Sequence, residues 1–370
     1  MSITRLSLRG FKSIHEIVAM ELRGMNILIG ANGAGKTNLT GFFRMLSSMV
    51  AGSLQEFVGR SGGAASMLRN GPKCTQSIEA ELETGGCDAP LLYSFRLSYA
   101  AEDRLIFADE RVLHGGQGED APIARSLGGG QRESVLCSAR SMEDPVLFRI
   151  AKSLSSIGIY QFHDTSPESR LRGSCDAEDS RVLRSDGGNL AAVLRALRER
   201  HGGHYDRIVE VIRLIAPFFS DFALEPMNGD SPRLSLRWRA KGEEYEFGAH
   251  QLSDGTLRFM ALATLLLQPD ERLPSIIVID EPELGLHPVA LGVLANLFQE
   301  ASIKTRMLVA TQSPDFVSFF EPEDVIVADR RAGASSFRRL QSTELSEWLD
   351  EYTLGDLWRK NIILGGPTYE

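Results

Sequence analysis

The sequence predicts an α/β fold with a mostly parallel core sheet, an antiparallel β lobe and an inserted helical subdomain. Three observations predict it. Short apolar runs alternate with helix-period segments near both ends of the chain. The middle of the chain instead has several strand-like runs followed by glycine-rich and charged loops. The 370 residues are 43% apolar and 24% charged, a globular composition that excludes extensive disorder.

The N-terminal segment has the order strand, glycine-rich loop, helix. Residues 4–9 alternate polar and apolar side chains, and residues 25–29 form a continuous apolar run of the buried-strand type. Apolar residues at helical spacing follow over residues 38–48. A phosphate-binding loop requires this order.

The middle of the chain is predicted to be an insertion with its own sheet and helices. Strand-like runs cover residues 77–83, 91–99 and 104–113, amphipathic helices cover 189–199 and 205–219, and a hairpin covers 233–239 and 243–247. No heptad pattern is sustained there, which excludes a long coiled-coil arm.

Helices and strands alternate again towards the C-terminus, as is typical of a parallel sheet. They are predicted at residues 256–267, 275–280, 289–301, 307–311 and 324–328. The predicted organisation is an ATPase-like core split between residues 1–51 and 250–332, an insertion at 52–249 and a C-terminal tail helix at 333–370.

The most specific motif lies between the second strand and the first helix. It consists of Gly30, Ala31, Asn32, Gly33, Ala34, Gly35, Lys36, Thr37 and Asn38. In such a loop, backbone N–H groups surround nucleotide phosphates, Lys36 reaches the β- and γ-phosphates, and Thr37 offers a hydroxyl to Mg²⁺. A chance glycine loop would not combine the flanking strand, the lysine and the threonine.

An aliphatic strand that ends in two acids supplies a second motif. Asp280 can hold Mg²⁺ and Glu281 can polarise an attacking water. Solvated carboxylates are common at strand ends. Here, however, both motifs follow predicted parallel strands, whose carboxyl ends form the ligand site of such sheets.

Two further segments are less specific when taken alone. Ser253 and Gly255 lie in L-S-D-G-T before a helix, where Ser253 or Asp254 would also serve as a helix cap. Gln312 in T-Q-S-P follows another apolar strand, and the alternative there is an ordinary polar strand end.

Together these motifs resemble those of ABC-type ATPases, with L-S-D-G-T similar to their signature motif. The resemblance implies a P-loop NTPase fold and a homodimer in which Ser253 and Gly255 contact the nucleotide of the partner. It implies that Lys36, Glu281 and Gln312 are catalytic, with Glu281 as general base, and that ATP and Mg²⁺ are the cofactors. Family members often have histidine where this chain has Gln312, which cannot become charged near neutral pH.

Within that group, the chain resembles the RecF-, SMC- and OLD-like ATPases, AAA-type proteins that act on DNA or in phage defence. The resemblance lies in L-R-G-F-K-S-I at residues 8–14, the phosphate loop, and D-E-P-E-L-G-L-H-P at residues 280–288. The absence of a long coiled coil argues against an SMC protein proper. Only about 40 residues follow the last core strand, too few for a TOPRIM nuclease domain.

We therefore expect an ATPase that dimerises around two ATP molecules and acts in DNA repair or phage defence. DNA and a separate nuclease or toxin are the candidate partners besides a second copy. Two alternatives stay open: a regulatory scaffold with slow hydrolysis that holds a nuclease or toxin in check, and the energising subunit of a transporter.

Charge and cysteine usage bear on DNA binding and on the cellular location. The net charge is −9, although residues 1–60 contain seven basic and three acidic side chains, consistent with a DNA groove or with ordinary surface. Four irregularly spaced cysteines and no apolar run of about 20 residues predict a cytoplasmic protein without a membrane segment.

The glutamines that could coordinate metal are Gln76, Gln117, Gln131 and Gln161, with Gln161 favoured.

Overall fold

The computed structural model describes residues 2–85, 90–114, 123–138, 144–226 and 233–363. These residues form a twelve-stranded sheet, a three-stranded sheet and a two-stranded sheet, together with helices on both faces of the large sheet. Gln117 lies outside the described residues. Within them, no helix is both long and apolar enough to cross a membrane.

The strands, in chain order, are β1 (Ser2–Phe11), β2 (Ile14–Glu21), β3 (Met25–Ile29), β4 (Ser77–Gly85), β5 (Leu91–Ala100), β6 (Arg104–His114), β7 (Ile123–Gly128), β8 (Ile157–Tyr160), β9 (Ser174–Asp176), β10 (Phe219–Ala223), β11 (Arg233–Ser235), β12 (Arg237–Ala240), β13 (Glu246–Gly248), β14 (Ile276–Asp280), β15 (Arg306–Ala310), β16 (Val325–Arg331) and β17 (Ala334–Arg339). The helices are α1 (Lys36–Val50), α2 (Leu54–Arg60), α3 (Ala64–Met67), α4 (Pro145–Ser155), α5 (Leu190–Arg200), α6 (Gly202–Ile215), α7 (Asp254–Leu266), α8 (Pro288–Ser302), α9 (Pro314–Val317), α10 (Ser342–Leu349) and α11 (Leu354–Arg359).

The large sheet has a parallel half and an antiparallel half. Its strand order is β7-β6-β5-β4-β1-β2-β17-β16-β3-β15-β14-β8. The strands from β16 to β8 are parallel neighbours, whereas those from β7 to β2 are antiparallel. The predicted α/β class, with a mostly parallel core sheet and an antiparallel lobe, is confirmed.

Each face of the parallel half carries its own apolar core. Ile27 and Ile29 of β3 face the core formed with α7 and α8, while Leu28 faces the core formed with α1 and α4. Side chains alternate across a strand, so a strand covered on both faces must be apolar throughout. This explains the continuous apolar run at residues 25–29.

The antiparallel lobe draws strands from two predicted domains. β4 pairs with β1 along most of its length, so the four strands from β4 to β7 extend the sheet that β1 and β2 begin. The predicted insertion contains the whole lobe, whereas in the structure the lobe also includes β1 and β2, and β2 has no counterpart among the predicted strands. The domain boundaries themselves stay a prediction.

Two other expectations are corrected. The predicted helix at residues 205–219 ends at Ile215 in the structure, because Pro217 cannot continue a helix and disfavours helical backbone at the residue before it. The predicted hairpin at 233–247 is formed only by β12 and β13, since β11 pairs with β9.

The segment predicted to be a tail helix begins instead with a sheet strand. β17 lies between β2 and β16, antiparallel to β16 and joined to β2 by the parallel pair Ser335 and Ile14. The two short helices α10 and α11 follow. α11 packs on α9, where a Cβ on Gly355 would overlap the carbonyl of Pro314, so the end of the chain contacts the segment after β15.

Candidate functional site

Three neighbouring strand ends carry most of the residues singled out from the sequence. The glycine-rich loop follows β3, Asp280 ends β14, and Gln312 lies two residues beyond β15. β15 lies between β3 and β14 and is parallel to both, so these carboxyl ends are side by side. Ligands of open α/β sheets bind at such an edge.

The backbone of the loop is shaped for close approach to another group. Gly30 and Gly35 have φ angles of 148° and 112°, values that favour glycine. Gly35 precedes α1 and provides no side-chain cap, so the first amide groups of the helix are available to an anion. The loop therefore fits the phosphates of a nucleotide.

Lys36 is held on the loop itself. Its Nζ donates to the carbonyl oxygens of Gly30 and Ala31 at 2.5 and 3.2 Å, and the residue is only 6% exposed. Burial lowers the pKa of the Lys36 ammonium from its usual value, while nearby carboxylates, Asp280 foremost, act in the opposite direction. The cation is thus positioned over the loop, within reach of groups bound there.

A small network of polar side chains packs against the loop. Asn38 Nδ2 donates to Ser13 Oγ at 2.6 Å, and Ser13 Oγ lies 2.6 Å from Ser335 Oγ of β17. A Cβ on Gly35 would overlap the side chain of Ser335. The sequence analysis did not identify Ser335, because nothing in the local pattern of β17 relates it to a loop so distant in the chain.

A second residue that the sequence does not predict lies close to the loop. Arg330, near the end of β16, places Nη1 4.0 Å from the point where a Cβ on Gly33 would stand. Its side chain is exposed. The arginine adds positive charge to the mouth of the loop.

Glu281 and Gln312 are joined directly. Gln312 Nε2 donates to Glu281 Oε1, and the N–H of Glu281 donates to the carbonyl of Ala310 at 2.7 Å. Glu281 has a φ of 44°, an uncommon left-handed conformation for a residue other than glycine. Such backbone conformations are concentrated at functional sites.

Asp280 and Thr37 supply the oxygen atoms expected of a magnesium site. Burial raises the pKa of Asp280, the charge of Glu281 raises it further, and His163 and nearby basic groups oppose the shift. The Thr37 side chain is exposed. No group of three His, Cys, Asp or Glu side chains that could together hold a metal ion occurs in the described residues. Mg²⁺ is often held by one or two side chains together with phosphate oxygens and water.

Glu283 is a third carboxylate at this edge, and the sequence analysis did not select it. Its Oε1 accepts hydrogen bonds from the hydroxyl of Thr311 and from the N–H of Gln312, the latter at 3.2 Å. Burial raises the pKa of Glu283. Its two partners come from the adjacent strand, beyond α8, so no local pattern could have revealed the contact.

Arg258 of α7 ties the acidic strand end to its surroundings. It donates to the carbonyls of Phe162 and His163 at 2.9 and 3.1 Å, and to that of Leu284. His163 Nε2 in turn lies 2.6 Å from the carbonyl oxygen of Asp280. The helix that begins with L-S-D-G-T is therefore connected to the loop after Asp280.

Ser253 and Gly255 line a cavity to which the phosphate loop of the same chain does not contribute. Ser253 caps α7 by accepting from the N–H of Thr256 at 3.2 Å, and it is exposed. A Cβ on Gly255 would overlap the carbonyl of Gly285. Both residues line a cavity of about 320 Å³ with His287, and none of residues 30–38 lines it.

The structure separates the candidate glutamines. Gln161 directly follows β8, which pairs in parallel with β14, and so lies at the same edge as Asp280. Gln131 donates to Glu110 in the antiparallel lobe at 3.0 Å, and Gln76 directly precedes β4. Among the described candidates, Gln161 alone lies at a parallel strand end.

Part of the chain matches a known protein family. Residues 147–318 match a family described as "AAA domain, putative AbiEii toxin, Type IV TA system". The matched segment includes the signature-like motif, Asp280, Glu281 and Gln312, but not the phosphate loop. A search of curated proteins finds no match.

Several solved structures share the fold. The head of an Smc protein bound to the C-winged helix domain of ScpA is 17% identical with a TM-score of 0.61, covering 94% of this chain and 100% of that chain. An Smc head from Pyrococcus furiosus is 16% identical with a TM-score of 0.58, covering 95% and 99%. The SMC head domain from Thermotoga maritima is 14% identical with a TM-score of 0.51, covering 92% and 100%.

These likenesses show that the chain has the P-loop ATPase fold of SMC heads. They confirm the resemblance to ABC-type, RecF- and SMC-like AAA ATPases that the motifs indicated.

Proposed function

We propose that this chain, built on the SMC-head fold, binds ATP with Mg²⁺ and hydrolyses it as a head-to-tail homodimer. The observation that carries the proposal is the meeting of Lys36, Asp280, Glu281 and Gln312 at three neighbouring strand ends. A structural role alone does not explain why a buried cation, two adjacent acids and an amide converge there.

Each residue has a distinct part in the proposed reaction. The loop amides and Lys36 bind the β- and γ-phosphates, while Thr37 and Asp280 hold the metal. Bound Mg²⁺ neutralises charge on the phosphates. Glu281 accepts a hydrogen bond from the attacking water, and Gln312 orients that carboxylate through its amide.

The signature-like motif is proposed to act on the partner's nucleotide. Ser253 is exposed, and its cavity has no lining residue from the loop of the same chain. In a head-to-tail pair, Ser253 and Gly255 of one copy would close the site of the other. This arrangement gives the two residues a ligand that they do not have within one chain.

The proposed setting is DNA maintenance or phage defence, with a separate effector and with DNA as a further candidate partner. The matching family is described as containing a putative toxin of a type IV system, and one similar Smc head is bound to a domain of ScpA. Free thiols at Cys74, Cys137 and Cys175 are consistent with a reducing cytoplasm.

One observation favours the alternative of a slow regulatory scaffold. The Gln312 amide already donates to one oxygen of Glu281, which leaves this carboxylate fewer acceptor sites for an attacking water. Measured turnover separates the two functions. A rate that DNA raises at least about tenfold supports an active clamp, whereas a slow rate that DNA does not change supports the scaffold.

The first test of the proposal is the variant Glu281→Gln. It removes the water-activating carboxylate but leaves Lys36 and Asp280 intact, so we expect MgATP to bind and the dimer to persist. Light scattering coupled to gel filtration should report twice the monomer mass with MgATP. The double variant Lys36→Ala, Glu281→Gln should remain monomeric as the control. A strictly monomeric Glu281→Gln protein that still binds MgATP would contradict the dimer.

A further inference from the structure

The contacts of Glu283 distinguish it from the other acids of the site. Thr311 directly follows β15, and its N–H donates to the carbonyl of Leu28 in β3 at 3.0 Å. Gln312 is the next residue, and its N–H donates to Glu283. The peptide of Gln312 is therefore fixed by a side chain from the loop after β14.

The same carboxylate oxygen also holds Thr311. The Thr311 hydroxyl donates to Glu283 Oε1 and accepts from the N–H of Ser313 at 3.0 Å. One oxygen thus fixes the backbone on both sides of the Gln312 peptide. From that fixed point the Gln312 side chain reaches Glu281.

The second oxygen of Glu283 argues against a purely structural role. Oε2 is buried and has no hydrogen-bond partner among the described residues. A buried, unpaired carboxyl oxygen destabilises a folded protein. Retaining such a group makes sense where function requires its contacts, as is common in strained or destabilised sites.

We propose that Glu283 is a positioning residue for hydrolysis: Oε1 fixes the Gln312 peptide and thereby the contact between the Gln312 amide and Glu281. The inference rests on the proposed ATPase function. It assigns Glu283 no contact with nucleotide, so its loss should change turnover and leave nucleotide affinity unchanged.

The test measures kcat and the Kd for MgATP in three variants of the full chain. Glu283→Ala removes the anchor and should lower kcat about tenfold to a hundredfold, with Kd within about twofold of the parent. Glu283→Gln keeps an oxygen in the position of Oε1 and should retain kcat within about threefold. Glu283→Asp keeps a carboxylate but shortens its reach, and should show the selective loss even where the alanine variant folds poorly.

A matched control exists elsewhere in the chain. Glu323 also anchors one backbone N–H and one hydroxyl, those of Ser342, at 2.8 and 2.7 Å. Glu323→Ala should change kcat by less than about twofold, because Ser342 begins α10 rather than the segment that carries Gln312.

A double-mutant cycle with Gln312→Ala decides whether Glu283 acts through Gln312. We expect Glu283→Asp to lower kcat in the parent chain and to have no further effect once Gln312 is alanine. The inference is overturned if the effects of Glu283→Asp and Gln312→Ala on kcat multiply in the double variant. It is also overturned if kcat is unchanged in both Glu283→Asp and Glu283→Ala. A parent chain that does not hydrolyse ATP would instead overturn the proposed function, so the two failures are distinguishable.

Discussion

Gly35 illustrates how one residue depends on a distant one. Its φ of 112° is uncommon for any other residue, and a Cβ there would overlap Ser335, a buried side chain of β17. The glycine is therefore required twice, once by its own backbone and once by its neighbour. The serine in turn bonds to Ser13, which accepts from Asn38 in the first turn of α1.

We predict that Gly35→Ala weakens both ATP binding and the fold. The left-handed backbone alone costs about 1–2 kcal/mol, and the overlap with Ser335 adds to it. Gly130→Ala is the control, because Gly130 has a φ of 90° with open space around it and should show the backbone cost only. Urea unfolding and calorimetry measure the two effects. Adding Ser335→Gly should recover part of the loss, and equal effects at positions 35 and 130 would disprove the steric contribution.

At this scale, the sequence predicts residues whose partners are close along the chain. Lys36 follows its strand by a few residues, and Asp280 ends its strand, so both positions could be predicted, although their roles stay predictions. Glu283 could not be identified, because its contacts with Thr311 and Gln312 exist only once β14 and β15 are paired. Positions defined by a neighbouring strand have no signature of their own.

At the scale of elements, α7 connects the signature-like motif to the acidic strand end. Gly255, in the first turn, lies against the carbonyl of Gly285, while Arg258, one turn later, donates to the carbonyl of Leu284. Two contacts from one helix therefore hold the loop after Asp280. A change at the Ser253 end of α7 therefore has a direct route to the strand end that carries Asp280 and Glu281.

We predict that Gly255→Ala lowers hydrolysis at least about tenfold and leaves MgATP binding by the single chain unchanged, because the added methyl group displaces the loop at Gly285 rather than the phosphate loop. Gly202→Ala is the control. Gly202 also begins a helix, but a Cβ there meets nothing within 4 Å. It should preserve hydrolysis and raise stability by about 0.5–1 kcal/mol. Loss of MgATP binding by Gly255→Ala would contradict the separation of the two segments.

The elements that the sequence failed to predict are those whose pairing is non-local. In β2 only Ile14 and Ile17 are buried. Their spacing of three residues does not match the alternation expected of a strand, and Ala19 has a φ of 47°. β17 is mostly polar, and it exists as a strand because it fits between β2 and β16. The apolar strands β3, β14 and β15, in contrast, have a local pattern that suffices.

At the scale of the molecule, part of the positive charge of the N-terminal segment is compensated by ion pairs. Arg5 pairs with Glu83 at 3.1 Å and Arg9 with Glu16 at 3.5 Å, across strands of the antiparallel lobe. Neighbouring positions across the strands share one face of the sheet. The excess of basic residues at 1–60 therefore does not by itself form a DNA groove on this face.

The trans arrangement predicts a specific result in mixing experiments. Lys36→Ala disables the loop and Ser253→Arg disables the signature-like motif, so neither variant alone should hydrolyse ATP. An equal mixture should recover about a quarter of the parent rate, because half the dimers are mixed and each has one intact site. Phosphate release measures this. If activity is absent at every mixing ratio, the sites do not form between chains.

The support that β17 gives to the phosphate loop also has a consequence for protein synthesis. The loop is synthesised before Ser335, against which Gly35 packs and which lies 300 residues later in the chain (335 − 35). A nascent chain therefore carries the complete loop motif before the strand that packs against it, β17, has been synthesised. We therefore expect the loop to reach its folded conformation only after translation has passed β17, when the two halves of the core have met.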